Sequence, residues 1–171
     1  MVGKLIQVAT ETVTSAVSSV ELTGIDSDDV YMLTMNNVQP VNDSGYLLMR
    51  VTESGTANTT SNYDQAYKNL RADSSFSNSN YQNFSYIYVT NNTLGTQTSE
   101  KLNGIKYIFN ANNSSEYTFM TNEISSVSNT SNLWGNQGGE VFTSTSAVDG
   151  VHFFMDNGNI ASGTFTLYKV V

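Results

Sequence analysis

A chain of 171 residues with no cysteine and a single histidine excludes disulfides, thiolate chemistry and soft metal centres. Its formal net charge of -8, with only seven basic residues, also excludes the clustered cationic footprint that grips a nucleic-acid backbone. Charged residues make up 13%, against roughly 25% in an average soluble domain, so surface polarity falls to Asn, Ser and Thr, which fill roughly a third of the chain.

Those short polar side chains hydrogen-bond nearby backbone and compete with the helical ladder. An all-β fold with long polar loops follows. The length suits one domain over 1–171 with its own core. The opening MVGKLIQVATETV has its apolar run broken by Gln7, Thr10 and Glu11, so it predicts no secretory leader. No apolar stretch approaches the ~20 residues of a membrane helix. The sequons at Asn42, Asn58, Asn83, Asn91, Asn112, Asn113 and Asn129 are what chance produces in a chain this rich in Asn, Ser and Thr.

In chain order, Lys4 to Thr10 alternates through Ile6 and Val8, and Val17 to Leu22 continues the pattern before Gly24-Ile25-Asp26-Ser27-Asp28-Asp29 breaks it. Val30 to Val38 places Tyr31, Leu33 and Met35 on one face. After Pro40 and Asn42-Asp43-Ser44-Gly45, Tyr46 to Thr52 does the same with Leu47, Met49 and Val51. These two strands are expected to pair antiparallel. Glu53 to Ser85 reads chiefly as a long polar loop. The helical spacing of Tyr63, Tyr67 and Leu70 allows a short helix over Asp64 to Arg71. Loops of that length in compact domains are usually functional or disordered. Its aromatics Tyr63, Tyr67, Phe76, Tyr81 and Phe84 either pack on their own sandwich or meet a neighbouring subunit.

Strands resume at Ser85 to Thr90, at Gly104 to Asn110 with Ile105, Tyr107 and Phe109 in register, and at Tyr117 to Thr121 with Tyr117 and Phe119. Ser125 to Gly139 reads as a loop holding the single tryptophan, Trp134, and a strand follows near Glu140 to Thr145. From Val148 to Val171, alternation through Val151, Phe153 and Met155, a turn at Asp156-Asn157-Gly158-Asn159 and renewed alternation from Thr164 predict a closing β-hairpin. Eight to ten short antiparallel strands at this spacing fit a two-sheet antiparallel β-sandwich, with jelly-roll connectivity as the first expectation.

No catalytic motif stands out. His152 lies between apolar neighbours inside a strand and reads as a sheet-face histidine rather than a triad base. Asp26, Asp28 and Asp29 are spaced as calcium ligands could be. They lack the EF-hand glycine and closing glutamate, and a solvated turn accounts for them. Scattered carboxylates at Glu11, Glu21, Glu53, Glu100, Glu116, Glu123 and Glu140 leave a glycosidase pair formally open. Gly135, Gly138 and Gly139 precede Glu140-Val141-Phe142 rather than the Lys-Ser/Thr of a phosphate loop. Trp134 among Asn132, Asn136 and Gln137 is chemically a sugar-stacking platform, with packing as the competing role.

Two stretches carry a family resemblance. Val20-Glu21-Leu22-Thr23-Gly24-Ile25 followed by Asp29-Val30-Tyr31-Met32-Leu33-Thr34-Met35-Asn36-Asn37-Val38, and the ending Val148 to Phe153, Met155, Gly158-Asn159-Ile160 and Ser162-Gly163-Thr164-Phe165-Thr166-Leu167-Tyr168, resemble the ends of small virion proteins from tailed phages of marine bacteria. Lys169 stands where relatives often carry glycine. The resemblance implies a non-enzymatic structural protein of a phage particle, made in the host bacterial cytoplasm, without a cofactor. It implies association with copies of itself, trimeric or higher, and with major capsid or tail proteins. Capsid decoration is the first placement. A tail or fibre module that recognises host surface glycan through Trp134 and Tyr81 is the alternative.

Overall fold

The computed structural model describes residues 3–171, with Met1 and Val2 outside the described residues. The strands are β1 (Leu5–Val13), β2 (Ser19–Thr23), β3 (Tyr31–Pro40), β4 (Leu47–Glu53), β5 (Thr56–Ala57), β6 (Tyr63–Arg71), β7 (Ser77–Phe84), β8 (Ile87–Tyr88), β9 (Leu102–Phe109), β10 (Thr118–Val127), β11 (Leu133–Phe142), β12 (Gly150–Met155) and β13 (Ile160–Val170). They form two antiparallel sheets. An eight-stranded sheet has the order β1-β13-β3-β9-β10-β11-β6-β7, and a five-stranded sheet has the order β2-β12-β4-β5, with β8 also on β4. The protein is an all-β sandwich.

Alternation in the sequence becomes the inner faces. Tyr31, Leu33 and Met35 of β3 and Phe165 and Leu167 of β13 are buried against Leu47, Met49 and Val51 of β4, Val151 and Phe153 of β12, and Val20 and Leu22 of β2. Phe153 and Phe165 bring one ring from each sheet to a centroid distance of 4.9 Å. Each such side chain stabilises the fold by about 1.5–3 kcal/mol through burial.

β1 with β2, β3 with β4, and β12 with β13 are successive strands that cross from one sheet to the other. Val148 to Val171 is therefore an arch. β12 pairs with β2 and β4, whereas β13 pairs with β1 and β3. β3 and β4 likewise do not pair with each other, contrary to the sequence expectation. The physical reason is loop length: connections of four to six residues can climb the about 10 Å between packed sheets, and period-two alternation is the same in an arch as in a hairpin. This wrapping is compatible with a jelly roll.

The stretch expected as loop or short helix is a β-hairpin, β6 with β7. Tyr63 and Tyr67 are four apart, a spacing that fits a strand face as well as a helix face. Gln65 and Asn69 share their burial and hid the period-two pattern behind polar names. The loop expected over Ser125 to Gly139 is likewise mostly strand, since β10 and β11 run on as a long hairpin with Gly135, Gly138 and Gly139 inside it. At Gly138 a Cβ would stand 2.1 Å from the Ala66 carbonyl oxygen and 2.7 Å from Tyr67 Cδ1, so close packing against β6, not turn formation, requires this glycine.

Opposite the inner faces of β10, β11 and β6 lie residues 86–94, which include β8 at the edge of the five-stranded sheet. Gln65 Nε2 donates to the Tyr86 carbonyl at 2.9 Å, and the Tyr88 amide donates to Gln65 Oε1 at 2.7 Å. The Thr90 hydroxyl lies 2.6 Å from Asn136 Oδ1, Asn136 Nδ2 donates to Asn69 Oδ1 at 2.6 Å, and Ser126 Oγ donates to Asn92 Oδ1 at 3.0 Å. This half of the sandwich thus buries paired amides and hydroxyls among the apolar side chains Ile87, Val89, Met120 and Ile124, the pairing replacing the water that burial strips away.

Candidate functional site

Where inner positions are polar, aromatic residues occupy the outer face. On β9 and β10 the buried positions are Leu102, Lys106, Ile108, Thr118, Met120, Asn122, Ile124 and Ser126. The faces carrying Ile105, Tyr107 and Phe109, and Tyr117 and Phe119, therefore turn outward. Phe119 is 47% exposed and Tyr117 43%. Register places Phe109 opposite Phe119 and Phe119 opposite Val141. Tyr107 stands opposite Met32, and Met32 opposite Tyr168. The result is an oblique apolar band over β13, β3, β9, β10 and β11, all of it at least partly exposed.

Beside the band runs a trough. Thr121, Gly139 and Ala66 are cross-strand neighbours on the outer face, and their small side chains leave two adjoining depressions of about 580 and 470 Å³. Phe119, Val141 and Asp64 form one wall, with Asn80 and Gln82 at the β7 end. Glu123, Gln137, Ile105 and Tyr107 form the other wall, where Gln137 Nε2 donates to Glu123 Oε1 at 2.9 Å. Carboxylates, side-chain amides and ring faces side by side can hydrogen-bond hydroxyls and stack on C–H groups.

The structure separates the residues singled out from the sequence. Tyr63 and Tyr67 are core residues and have no surface to offer a partner. Tyr63 Oη donates to the Asn58 carbonyl at 2.9 Å, and Tyr67 Oη lies 2.8 Å from the Tyr88 carbonyl; burial pushes both phenols well above their ordinary pKa. Tyr81 and Phe84 join Tyr46, Tyr86 and Tyr88 in a half-buried aromatic cluster, with Tyr81 and Tyr88 5.0 Å apart between centroids. Tyr81 Oη donates to Asn91 Oδ1 at 2.6 Å. Phe76, 61% exposed, lies at the far end of the β6–β7 hairpin beside Leu70 and Leu133. Trp134 stands in β11 under the Arg71 guanidinium, 4.5 Å from the ring centroid. That guanidinium is in turn held by both oxygens of Asp73 at 2.9 and 2.6 Å. One indole face is thus already stacked.

The acidic turn is tied to β13. Lys169 Nζ lies 2.8 Å from Asp29 and 3.5 Å from Asp26, and it donates to Ser27 Oγ at 2.7 Å. A hydrogen bond from Tyr31 and the Lys169 charge hold the Asp26 carboxyl below its ordinary range, and hydrogen bonds from Lys169 and Ser27 do so for Asp29. Among the described residues no group of three or more His, Asp or Glu is arranged to hold a metal ion. His152 faces outward on β12 opposite Glu21 and Arg50, with Nδ1 3.5 Å from the Glu21 carboxylate. Glu100 and Glu140 are buried.

No family model matches the chain, and no curated protein or solved structure matches it either.

Proposed function

We propose that this protein is a non-enzymatic structural component of a phage particle that works by docking its outer sheet face onto copies of itself. The observation that carries the reading is the oblique band of Tyr168, Met32, Tyr107, Phe109, Phe119 and Val141. Side chains of this kind on one broad face are the composition of an interface core. The family resemblance of the two chain ends supports the particle assignment, and decoration of the capsid is the placement proposed first. Symmetric closure around a threefold or higher axis would let identical bands cover one another.

Immunogold labelling of intact particles tests this. Label spread over the head supports capsid decoration, and no label on any particle overturns the assignment.

The trough along Thr121, Gly139 and Ala66 favours a second reading, in which a tail or fibre copy holds host surface glycan between Phe119, Asp64, Asn80, Glu123 and Gln137. Label confined to tail or fibre tips, together with glycan-dependent retention of the purified protein, would select this reading over the first.

A further inference from the structure

Three side chains meet in the interior on adjacent strands: Lys106 of β9, Asn122 of β10 and Glu140 of β11. Lys106 and Asn122 are directly opposite in register, and Glu140 pairs with Met120, two residues along β10 from Asn122. The Lys106 and Glu140 side chains have no solvent exposure. Lys106 Nζ lies 2.5 Å from Glu140 Oε1, and Asn122 Nδ2 lies 2.8 Å from the same oxygen. Among the described residues Asn122 Oδ1 and Glu140 Oε2 have no hydrogen-bond partner within range, and the Tyr67 phenol faces the same carboxyl closely enough for Glu140 to help raise its pKa.

A plain buried ion pair is a poor account of this arrangement. Two charges moved out of water cost several kcal/mol each, and the cost is repaid only when the remaining lone pairs are satisfied. Here two acceptors are orphaned. Burial pushes the Lys106 amine below its ordinary pKa, against the opposing pull of Glu140, and so favours a neutral, nucleophilic amine. The two ends of an asparagine amide are interchangeable in assignment. With Asn122 reversed, Oδ1 stands 2.8 Å from Glu140 Oε1, where it can accept the proton that passes through that carboxyl during the reaction. Transfer of the Lys106 proton to Glu140 turns the same atoms into a neutral set of amine, carboxamide and acid that buries no charge, while one end of the Asn122 amide and Glu140 Oε2 lack a partner in either form.

We propose that Lys106 and Asn122 become joined by an intramolecular isopeptide bond that forms without any other reactant, with Glu140 as the proton carrier. The Lys106 Nζ lone pair attacks Asn122 Cγ while the Glu140 acid stabilises the developing charge on Oδ1. Glu140 then carries one proton from Nζ to Nδ2. The Cγ–Nδ2 bond breaks, ammonia leaves, and an amide remains between Nζ and Cγ. Nothing is oxidised or reduced, and Glu140 ends as it began. Exclusion of water protects the intermediate from hydrolysis. The product links β9 and β10 in the middle of the large sheet, a covalent crosslink in a chain without cysteine.

The test is the mass of the purified full-length chain, denatured only for measurement, followed by proteolytic mapping. The proposal expects a mass one ammonia below that of the sequence, and a branched peptide in which Lys106 resists trypsin and is joined to Asn122. The full sequence mass in a folded sample overturns it. So does an ammonia loss that maps to a succinimide at Asn103-Gly104 or Asn157-Gly158, the Asn-Gly pairs of the chain. Glu140→Gln preserves side-chain volume while removing the acid, so this variant is expected to keep the full sequence mass. Formation of the branch in folded Glu140→Gln would overturn the role given to Glu140. If that variant does not fold, the branched peptide of the natural chain still decides whether the bond exists.

Discussion

Phe109 and Phe119 stand opposite each other on neighbouring strands, both on the solvent side of the large sheet. A pair so placed has its side chains within direct reach, yet Phe119 stays 47% exposed until something covers it. Phe119→Asp should abolish self-association in sedimentation experiments. As an exposed substitution it should change unfolding free energy by no more than about 0.5 kcal/mol. A variant that assembles as the natural chain does would remove the band from the interface.

Trp134 and Arg71 make a contact whose two roles can be separated. Trp134→Ala removes a cation–π pair of about 0.5–1 kcal/mol plus some packing, and a modest fall in thermal midpoint should report it. If the glycan reading holds through Trp134, attachment to host cells should disappear in this variant while the circular dichroism spectrum is unchanged. Unaltered attachment would leave Trp134 with only its packing role.

Asn136 bridges Asn69 and residue 90 across the sealed half of the sandwich. Asn136→Ala strands the Asn69 carbonyl oxygen away from water, whereas the Thr90 hydroxyl keeps Asn92 Oδ1, and stability should fall by about 1–3 kcal/mol for the group left without a partner. Denaturant unfolding with an unchanged m-value would measure this loss.

The ties of Lys169 to Asp26 and Asp29 set an acid response. Both carboxyls are depressed in the folded protein, so their contribution is present above the unfolded carboxylate value of about 3.9. It is lost as pH falls from there through the folded values. Thermal midpoints of the natural chain should fall more steeply with acid below about pH 4 than those of Lys169→Met. Identical slopes would show that these ion pairs are too well solvated to matter.

Gly138→Ala should be costly for a reason of space. The new methyl would meet the Ala66 carbonyl and the Tyr67 ring, and overpacking of this kind costs about 1–3 kcal/mol. Gly139→Ala, whose Cβ meets nothing closer than 3.9 Å, is the matched control and should unfold at nearly the natural temperature.

These features were unevenly legible in the chain. β3, β4 and β12 could be read because their inward residues are uniformly apolar, as at Leu33, Met49 and Phe153. β6 and β11 could not, because Gln65, Asn69, Asn136 and Glu140 are inward residues with polar names whose hydrogen-bond partners come from elsewhere in the chain. Pairing partners were hidden for a different reason, since alternation specifies a face and says nothing of which sheet the strand joins. The outer band was obscured by the same inversion: Tyr107 and Phe119 look like core residues until Lys106 and Asn122 are found beneath them.

Residue order also sets a schedule for synthesis. β13 lies between β1 and β3, so residues 5–40 cannot complete their own sheet until residues 160–170 arrive. Until then β1 lacks its sheet partner and β3 lacks one of two, each presenting open backbone to any neighbouring nascent chain. Closure thus waits on β13, and a ribosome stalled before residue 160 would display a sticky, unfinished sheet.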